Sequence, residues 1–178
     1  MSNLRCNGKA LITTSAETND AIEEKNSHGS EQFKPNTTVA VVVTYQDKFL
    51  IVEELDLGKT VYNQPAGHLE AGESLISAAK RELQEETGLV LSPDYLCGIY
   101  YYYSDVINLY YLRFCFVIEL ENHMPCQPQD HEIIACHWLT LAEINAKSAQ
   151  LRSPLVLECI ADYLSGKKIP LSQLKSNL

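Results

Sequence analysis

Residues 67–89 read GHLEAGESLISAAKRELQEETGL, and the pattern of this stretch predicts a helix from Ser74 to Glu86. Ser74 supplies a hydroxyl oxygen at the N-cap position, and Gly88 stands just past the last turn, where a left-handed residue often ends a helix. Apolar side chains recur at every fourth position, at Leu75, Ala79 and Leu83. One face of this helix is therefore expected to pack against a hydrophobic core.

Three glutamates, Glu82, Glu85 and Glu86, fall at the end of the predicted helix. At about 100° per residue they share one sector beside the apolar stripe, where like charges destabilise a helix by about 0.2–0.5 kcal/mol per pair. The helix dipole also disfavours anions at this end. A bound cation would compensate, and oxygen ligands without His or Cys favour Mg²⁺, or Mn²⁺, over zinc. An acidic helix face that is merely solvated is the alternative interpretation.

The spacing around these glutamates resembles the complete signature of the Nudix hydrolase family. A glycine, five residues, a glutamate, seven residues and then the run REL-x-EE-x-GL fill every defining position between Gly67 and Leu89. The resemblance implies the α/β class and the Nudix fold, an α/β/α sandwich with a mixed β-sheet. The implied Mg²⁺ ligands are the carbonyl of Gly67 and the side chains of Glu82, Glu85 and Glu86. The resemblance also implies a structural salt bridge between Glu73 and Arg81.

The same resemblance implies hydrolysis of a diphosphate linkage, in which water attacks phosphorus and a carboxylate accepts the proton. Within the signature, Glu82 and Glu85 are the candidate catalytic bases. A carboxylate outside the signature can share this role in the family, and Glu132 occupies the matching downstream position, with Asp130 as its neighbour. A surface loop acid is the alternative interpretation of Glu132.

The rest of the chain predicts a mixed sheet and two further helices. Strand composition is found over Thr38–Thr44, Lys48–Glu53, Tyr100–Tyr103, Asn108–Leu120 and Ile133–Leu139. The first two strands are expected to form a hairpin through the short turn Gln46-Asp47. Helices are predicted over Leu141–Lys147 and Pro154–Leu164, the second with Ser153 as its cap and Gly166 as its stop.

The domain organisation follows from where apolar periodicity begins. Residues 1–32 are rich in polar residues and are predicted to be a disordered extension, whereas residues 33–178 are predicted to form one Nudix hydrolase domain. No apolar run approaches the roughly 20 residues that span a bilayer, so we expect a cytoplasmic protein without membrane association. The six cysteines form no C-x-x-C pair and are expected to be reduced thiols.

The charge balance bears on the partners of the protein. The net charge is −9, and no Lys/Arg cluster is present that could neutralise the phosphates of a nucleic acid. We therefore expect a small phosphorylated metabolite as the partner, and no nucleic acid. A monomer and a dimer are both compatible with the sequence.

Segments outside the signature resemble a group of bacterial phosphatases within the Nudix family. These segments are Phe33–Pro35, Asn63–Ala71 and Leu151–Val156. The resemblance implies that thiamine pyrophosphate, hydroxymethylpyrimidine pyrophosphate and nucleoside di- and triphosphates are substrates, with release of phosphate. Two alternatives are a Nudix pyrophosphohydrolase acting on nucleotide sugars or dinucleoside polyphosphates, and a non-catalytic nucleotide-binding regulatory module.

Three further residues are candidates for contact with the substrate. Arg152 could clamp a phosphate, or it could bind backbone carbonyls or a surface acid. His68 follows Gly67 and could touch the substrate or have no role. The resemblance implies a tryptophan where Tyr62 stands, and the Tyr62 ring either stacks on the substrate or packs in the core. An aromatic wall for a substrate ring could come from Tyr100–Tyr103, Tyr110 and Tyr111, with simple strand packing as the alternative.

Overall fold

The computed structural model describes residues 33–56 and 58–178, so the extension predicted over residues 1–32 lies outside the described residues. Within these ranges eight strands join in one sheet. The strands are β1 (Asn36–Tyr45), β2 (Lys48–Asp56), β3 (Lys59–Asn63), β4 (Ala66–His68), β5 (Tyr95–Ser104), β6 (Leu109–Leu120), β7 (Ile133–Thr140) and β8 (Ile169–Pro170). The helices are α1 (Leu75–Thr87), α2 (Leu141–Ala146) and α3 (Leu155–Leu164), and short 3-10 helices lie at Ser148–Gln150 and Leu171–Gln173.

Strand β1 is central to the mixed sheet. The strand order is β3-β2-β1-β6-β5-β8, with β7 paired to β2 and β4 paired to β1. β1 runs parallel to β6 along its whole length and antiparallel to β2 and β4. It pairs with β2 only beside their connecting turn, and β4 pairs with β1 at Thr38–Ala40 instead. β1 and β2 therefore separate toward the Thr38 end of the sheet.

The valine-rich sequence of β1 explains the two hydrophobic layers of the domain. Val39, Val41 and Val43 pack in a core cluster with Leu83 and its neighbours on α1. Ala40 and Val42 pack in a second cluster with residues of α3, which are Val156, Cys159 and Ile160. Successive side chains of a strand point to opposite faces, so one strand serves both layers. The predicted α/β/α sandwich with a mixed sheet is confirmed.

The long predicted strands and all three predicted helices are confirmed, including the β1–β2 hairpin. The turn of this hairpin places Gln46 at a φ of 57°. Three short strands, β3, β4 and β8, were not predicted, because they have five, three and two residues and show no measurable alternation.

Both predicted ends of α1 are confirmed. The Ser74 hydroxyl oxygen accepts a hydrogen bond from the backbone N–H of Ser77 at 3.1 Å. Gly88 has a φ of 75° and donates its N–H to the carbonyl oxygen of Gln84 at 2.8 Å. These bonds satisfy backbone groups that helix ends leave without partners.

The cap predicted for α3 is wrong. Pro154 occupies the cap position in a helical conformation, and no side chain caps this helix. The N–H of Val156 bonds to the carbonyl oxygen of Ser153 at 3.3 Å, so the hydroxyl of Ser153 has no part in the first turn. Beyond the helix, Gly166 has a φ of 80°, in agreement with its predicted role as the stop.

The five described cysteines, Cys97, Cys115, Cys126, Cys136 and Cys159, are free thiols, as predicted, whereas Cys6 lies outside the described residues. Among the described residues, the helices are all too short or too polar to cross a bilayer.

The segment between β6 and β7 folds back onto the C-terminal end of α1. The N–H of Gln127 donates to the carbonyl oxygen of Thr87 at 2.8 Å. The N–H groups of Gln129 and Asp130 both donate to the carbonyl oxygen of Glu85, at 2.8 and 2.9 Å. These contacts bring the downstream acidic residues to the end of α1 that carries the glutamates.

Candidate active site

A cavity of about 1150 Å³ opens where β1 and β2 separate. Eight of the predicted site residues line it, namely Gly67, His68, Arg81, Glu82, Glu85, Glu86, Glu132 and Arg152. Tyr62 and Glu73 do not line it. The fold therefore gathers at one cavity most of the residues that the sequence singled out, from α1, β4 and two loops.

Glu86 is the most deeply buried of the three helix glutamates, with 6% of its surface exposed. Its Oε2 accepts a hydrogen bond from the backbone N–H of Ala66 at 2.9 Å, which joins α1 to β4. Burial, together with the neighbouring carboxylates of Glu54, Glu82 and Asp130, raises the pKa of Glu86 to about 9. At neutral pH this carboxyl group keeps its proton unless a cation takes the proton's place.

A stability measurement on metal-free protein tests this state of Glu86. Its pKa of about 9 lies above the ordinary 4.5, so its stabilising contribution is complete below pH 4.5 and is lost as the pH rises toward 9. In EDTA, the melting temperature of the wild type should fall relative to that of Glu86→Gln between about pH 6 and about pH 8.5. Parallel melting curves of the two proteins across this interval would show that Glu86 titrates normally.

Gly67 lies in β4 directly against Glu82. A Cβ atom at Gly67 would overlap the carboxylate group of Glu82, so a larger residue at Gly67 would have to displace this carboxylate from its present position. The Glu82 side chain is 12% exposed, and burial raises its pKa, against the hydrogen bond from Arg81 that lowers it. The structure thus brings together two of the residues predicted to share a ligand role.

We expect Gly67→Ala to lower kcat/KM by at least about 10-fold in a folded protein. The added methyl group must displace the Glu82 carboxylate, and a displacement of about 1 Å at an active site can cost on the order of 100-fold in rate. Steady-state hydrolysis and circular dichroism of the same preparation measure both quantities. In the control Gly72→Ala, the new Cβ meets no atom within 4 Å, although the φ of 85° is strained. This control should lose stability and keep its turnover.

Arg81 ties α1 to the loop that precedes it. Its Nη2 and Nε donate to the carboxylate of Glu73 at 2.7 and 3.1 Å, so the predicted salt bridge is present. Its Nη1 donates to Glu82 at 2.7 Å and to Glu85 at 3.1 Å, and Nη2 also donates to the carbonyl oxygen of His68 at 3.0 Å. The hydrogen bonds from Arg81 hold the pKa of Glu73 below its usual range. One guanidinium group therefore balances three carboxylates.

The two downstream acids differ in how they are held. Asp130 accepts a hydrogen bond from the N–H of Glu132 at 2.9 Å and is thereby engaged within its own loop. The carbonyl oxygen of Glu132 accepts from the N–H of Leu55 at 3.2 Å, which fixes its backbone beside β2. The carboxylate of Glu132 lines the cavity and makes no hydrogen bond within the described residues. Of these two acids, Glu132 is the one available to accept a proton.

Arg152 pairs with two acidic residues of β2 that sequence reasoning missed. Its Nη1 lies 2.7 Å from Oε2 of Glu54, and its Nη2 lies 3.8 Å from Oδ1 of Asp56. Glu54 is only 7% exposed, and its Oε1 has no hydrogen-bond partner among the described residues. The register of β2 and β7 shifts between Glu53 and Glu54, a bulge of the kind that redirects side chains near active sites. The sequence did contain a signal for Glu54, because this glutamate continues a strand of buried apolar residues.

Tyr62 is placed away from the cavity. Its side chain is 8% exposed and belongs to the core cluster on the α3 side of the sheet. The ammonium group of Lys147 lies 4.2 Å from the centre of its ring, and the ring of His137 packs 6.0 Å away. Tyr62 therefore packs in the core, as the alternative interpretation has it. Its ring is not placed to stack on a substrate in this cavity.

Comparison with known proteins gives the family. The NUDIX domain family matches residues 34–158. The chain belongs to the Nudix hydrolase family. Phosphatase NudJ of Shigella boydii serotype 4 (strain Sb227) is 48% identical over 142 residues, which cover 80% of this chain and 92% of the relative. Phosphatase NudJ of Escherichia coli (strain K12) is 47% identical over the same coverage of both chains.

Solved structures show the same relationship. A NUDIX hydrolase from Nitrosomonas europaea is 45% identical, with a TM-score of 0.76 over 80% of this chain and 97% of that one. The NUDIX domain of Shewanella oneidensis NrtR, solved with ADP ribose, shares the fold at 21% identity, with a TM-score of 0.66 over 84% of this chain and 99% of that one. This Nudix hydrolase is an enzyme that acts on phosphorus anhydrides, and its curated relatives are phosphatases.

The oxygen-rich site of this Nudix hydrolase fits the divalent cation that the family generally requires. Within residues 33–56 and 58–178, no three acidic, histidine or cysteine side chains are gathered closely enough to hold a metal ion as they stand. The reason is that Arg81 draws Glu82 and Glu85 to itself, while Glu86 bonds to Ala66. Burial and the neighbouring carboxylates raise the pKa of Glu86, so a cation beside this carboxyl group would favour its charged form. Carboxylate and carbonyl oxygens are the ligands that Mg²⁺ and Mn²⁺ prefer.

The hairpin of β5 and β6 supplies the apolar wall of the cavity in this Nudix hydrolase. Tyr102 and Tyr111 line the cavity, together with Val106, Ile107 and Leu109. Tyr101, Tyr103 and Tyr110 do not line it, and their rings pack on one another at centroid distances of 5.8 and 4.6 Å. The hydroxyl of Tyr100 donates to Asp162 at 3.0 Å. Two of the candidate tyrosines, Tyr102 and Tyr111, therefore lie where an aromatic wall would require them, and the others pack outside the cavity.

Proposed function

We propose that this Nudix hydrolase uses Mg²⁺ to hydrolyse thiamine pyrophosphate, hydroxymethylpyrimidine pyrophosphate and nucleoside di- and triphosphates, with release of phosphate. The observation that carries the proposal is that one cavity is lined by the carboxylates of α1, by Arg152 and by the aromatic wall of the β5–β6 hairpin, Tyr102 and Tyr111. Such a cavity suits a substrate that joins a diphosphate to a flat ring. The identity of 48% to phosphatase NudJ supports phosphate release.

Each residue of the site would have its own role in the reaction. Glu82, Glu85, Glu86 and the carbonyl of Gly67 would hold Mg²⁺, which when bound neutralises phosphate oxygens and lowers the pKa of water. Glu132, whose carboxylate makes no hydrogen bond with the residues that the structure describes, would accept the proton of the water that attacks the terminal phosphorus. The bond from this phosphorus to the bridging oxygen breaks, and its electrons leave with the rest of the substrate, a monophosphate when the substrate is a diphosphate and a diphosphate when it is a triphosphate.

Two substrate contacts complete the proposed mechanism. Arg152 would donate two hydrogen bonds to the phosphate oxygens, since its guanidinium group lines the cavity and is held in place by Glu54 and Asp56. His68 lines the same cavity beside Gly67 and would contact the substrate there. The aromatic wall would exclude water from one face of the ring.

Colorimetric detection of orthophosphate from a panel of metabolites, with Mg²⁺ and with EDTA, tests the proposal. We expect orthophosphate from thiamine pyrophosphate and nucleoside diphosphates in Mg²⁺, and none in EDTA. Release of two mononucleotides from nucleotide sugars or dinucleoside polyphosphates, without orthophosphate from the first group, would instead support the pyrophosphohydrolase alternative. Calorimetric binding of nucleotides without any hydrolysis at millimolar Mg²⁺ would support the non-catalytic alternative.

The aromatic wall is expected to contribute to the affinity for substrates that contain a ring. We expect Tyr102→Ala to raise KM for thiamine pyrophosphate by about 10-fold, because stacking on an aromatic side chain contributes about 1–3 kcal/mol per ring. Hydrolysis of inorganic tripolyphosphate, which has no ring, should change much less. Tyr101→Ala is the matched control, because Tyr101 is the next residue of β5 and is 62% exposed outside the cavity. Equal effects of the two substitutions on KM would contradict a stacking role.

A further inference from the structure

Arg113 in β6 is a buried cation without a counter-ion. Only 8% of its surface is exposed, and its Nη1 is buried with no hydrogen-bond partner among the described residues. Its Nε makes one long hydrogen bond of 3.5 Å to the hydroxyl of Thr38. None of the carboxylates in the described part of the chain forms a salt bridge with it.

This arrangement is unfavourable for folding alone. A guanidinium group cannot release its proton in a protein, so Arg113 stays charged however deeply it is buried. An unpaired buried charge is costly, and buried arginines are normally paired. The chain carries 23 acidic residues against 14 basic ones, so partners of opposite charge are plentiful. A ligand that supplies the missing negative charge explains why this position holds arginine.

The groups without partners are concentrated at the cavity. Five buried side-chain atoms in the described residues have no hydrogen-bond partner, and they belong to Glu54, Asn63, Gln64, Arg113 and Ser153. All of these residues except Gln64 line the cavity. Two of these atoms, Nη1 of Arg113 and the hydroxyl oxygen of Ser153, can donate a hydrogen bond to an anionic oxygen, whereas Oε1 of Glu54 and Oδ1 of Asn63 are acceptors.

The three arginines that line the cavity differ in their ion pairs with carboxylates. Arg81 is occupied by three carboxylates, and Arg152 is paired with Glu54 and Asp56. Arg113 alone among these three has no carboxylate partner in the described residues. Its charge is therefore the only one of the three that no carboxylate of the described residues compensates.

We propose that Arg113 binds a phosphoryl oxygen of the substrate and, after hydrolysis, of the orthophosphate product. This assignment rests on the proposed phosphate-releasing function, because that function places a phosphoryl group in this cavity. Guanidinium groups bind phosphate through charge-assisted hydrogen bonds, and burial strengthens these bonds because water competes less. Arg113 is thus a substrate-binding residue in addition to Arg152.

Replacing Arg113 by Met tests the assignment with two readouts. We expect KM for thiamine pyrophosphate and the inhibition constant of orthophosphate to rise by about 10- to 100-fold, the cost of one hydrogen bond to a charged group. We also expect the melting temperature of the ligand-free protein to rise by about 2 °C or more, because an uncompensated buried charge is removed. A structural arginine would show the opposite pattern, a lower melting temperature with KM and phosphate inhibition unchanged, and that pattern would overturn the proposal.

Two further variants complete the experiment. Lys80→Met removes the same charge from an exposed position of α1, so its KM should stay near that of the wild type. An equal rise of KM in Lys80→Met would assign the effect to net charge and overturn the proposal. Arg113→Gln removes the charge but keeps a polar side chain, and it replaces Arg113→Met under the same criteria if the latter fails to fold.

Failure of the assignment and failure of the proposed function are distinguishable. Calorimetry with orthophosphate alone reports binding without turnover. If the wild type binds orthophosphate and Arg113→Met does not, Arg113 is confirmed as a phosphate ligand even when thiamine pyrophosphate is not hydrolysed. If thiamine pyrophosphate is hydrolysed with equal phosphate inhibition in both proteins, the function stands and the role of Arg113 is refuted.

Discussion

Replacing Glu86 by Gln is expected to lower kcat by at least about 100-fold without unfolding the protein. The amide oxygen of Gln can still accept the hydrogen bond from Ala66, which Glu86 receives at 2.9 Å, so the junction of α1 and β4 is preserved. What disappears is the charge that would hold the cation. Loss of a residue that only supports a metal ligand lowers metal affinity or activity by about 10- to 100-fold. Loss of a ligand itself should lower activity at least as much. Orthophosphate release at saturating substrate measures the effect.

The matched control for this prediction is Glu158→Gln. Glu158 is an exposed glutamate of α3 and does not line the cavity, so its loss changes the net charge by the same amount. The control should keep the wild-type kcat. A Glu86→Gln protein with wild-type kcat over the whole range of Mg²⁺ concentrations would refute the assignment of Glu86 to the cation site.

Replacing Arg81 by Met is expected to lower both the stability and the activity of the protein. Arg81 holds Glu73, Glu82 and Glu85 together, and the side chains of Glu73 and Glu82 are only 16% and 12% exposed. Without Arg81 these carboxylates repel one another in a partly buried site. Hydrogen bonds to charged groups contribute about 1.5–3 kcal/mol, so we expect the free energy of unfolding to fall by about 2 kcal/mol. Urea unfolding in EDTA measures this change.

Lys80→Met is also the matched control for Arg81. Lys80 precedes Arg81 in α1 and is exposed, so its removal tests the effect of charge on the helix without touching the carboxylate network. The control should unfold at nearly the wild-type urea concentration. An unfolding midpoint of Arg81→Met equal to that of the control would mean that the network does not stabilise the loop before α1.

Much of α1 and its loop could be predicted from the sequence. The Ser74 cap, the Gly88 end and the sector shared by Glu82 and Glu86 follow from bonds and angles within a few turns of helix. The salt bridge between Glu73 and Arg81 was implied by the family resemblance, and the structure shows it within the same short segment. Such contacts depend on spacing along the chain, which a sequence displays directly.

Other features of the structure could not be predicted from the sequence, for physical reasons. β3 and β4 are held by pairing with distant strands, and they are too short to show periodicity of their own. Ser153 is a residue type that often caps helices, yet Pro154 occupies the cap position of α3, and the Ser153 hydroxyl has no hydrogen-bond partner among the described residues. Tyr62 could have faced either a ligand or the core, and the packing of Lys147 and His137 placed it in the core.

The sequence by itself determined the chemistry of this protein, because the spacing from Gly67 to Leu89 specifies a capped helix with its glutamates on one side. The tertiary structure alone decided what surrounds that helix. Glu54 comes from β2 and Arg113 from β6, and the pairing of the strands in one sheet brings both to the cavity. Burial and the loss of partners arise from contacts between segments that are far apart along the chain. No local pattern records those contacts, so the charges that complete the site became visible only in the folded molecule.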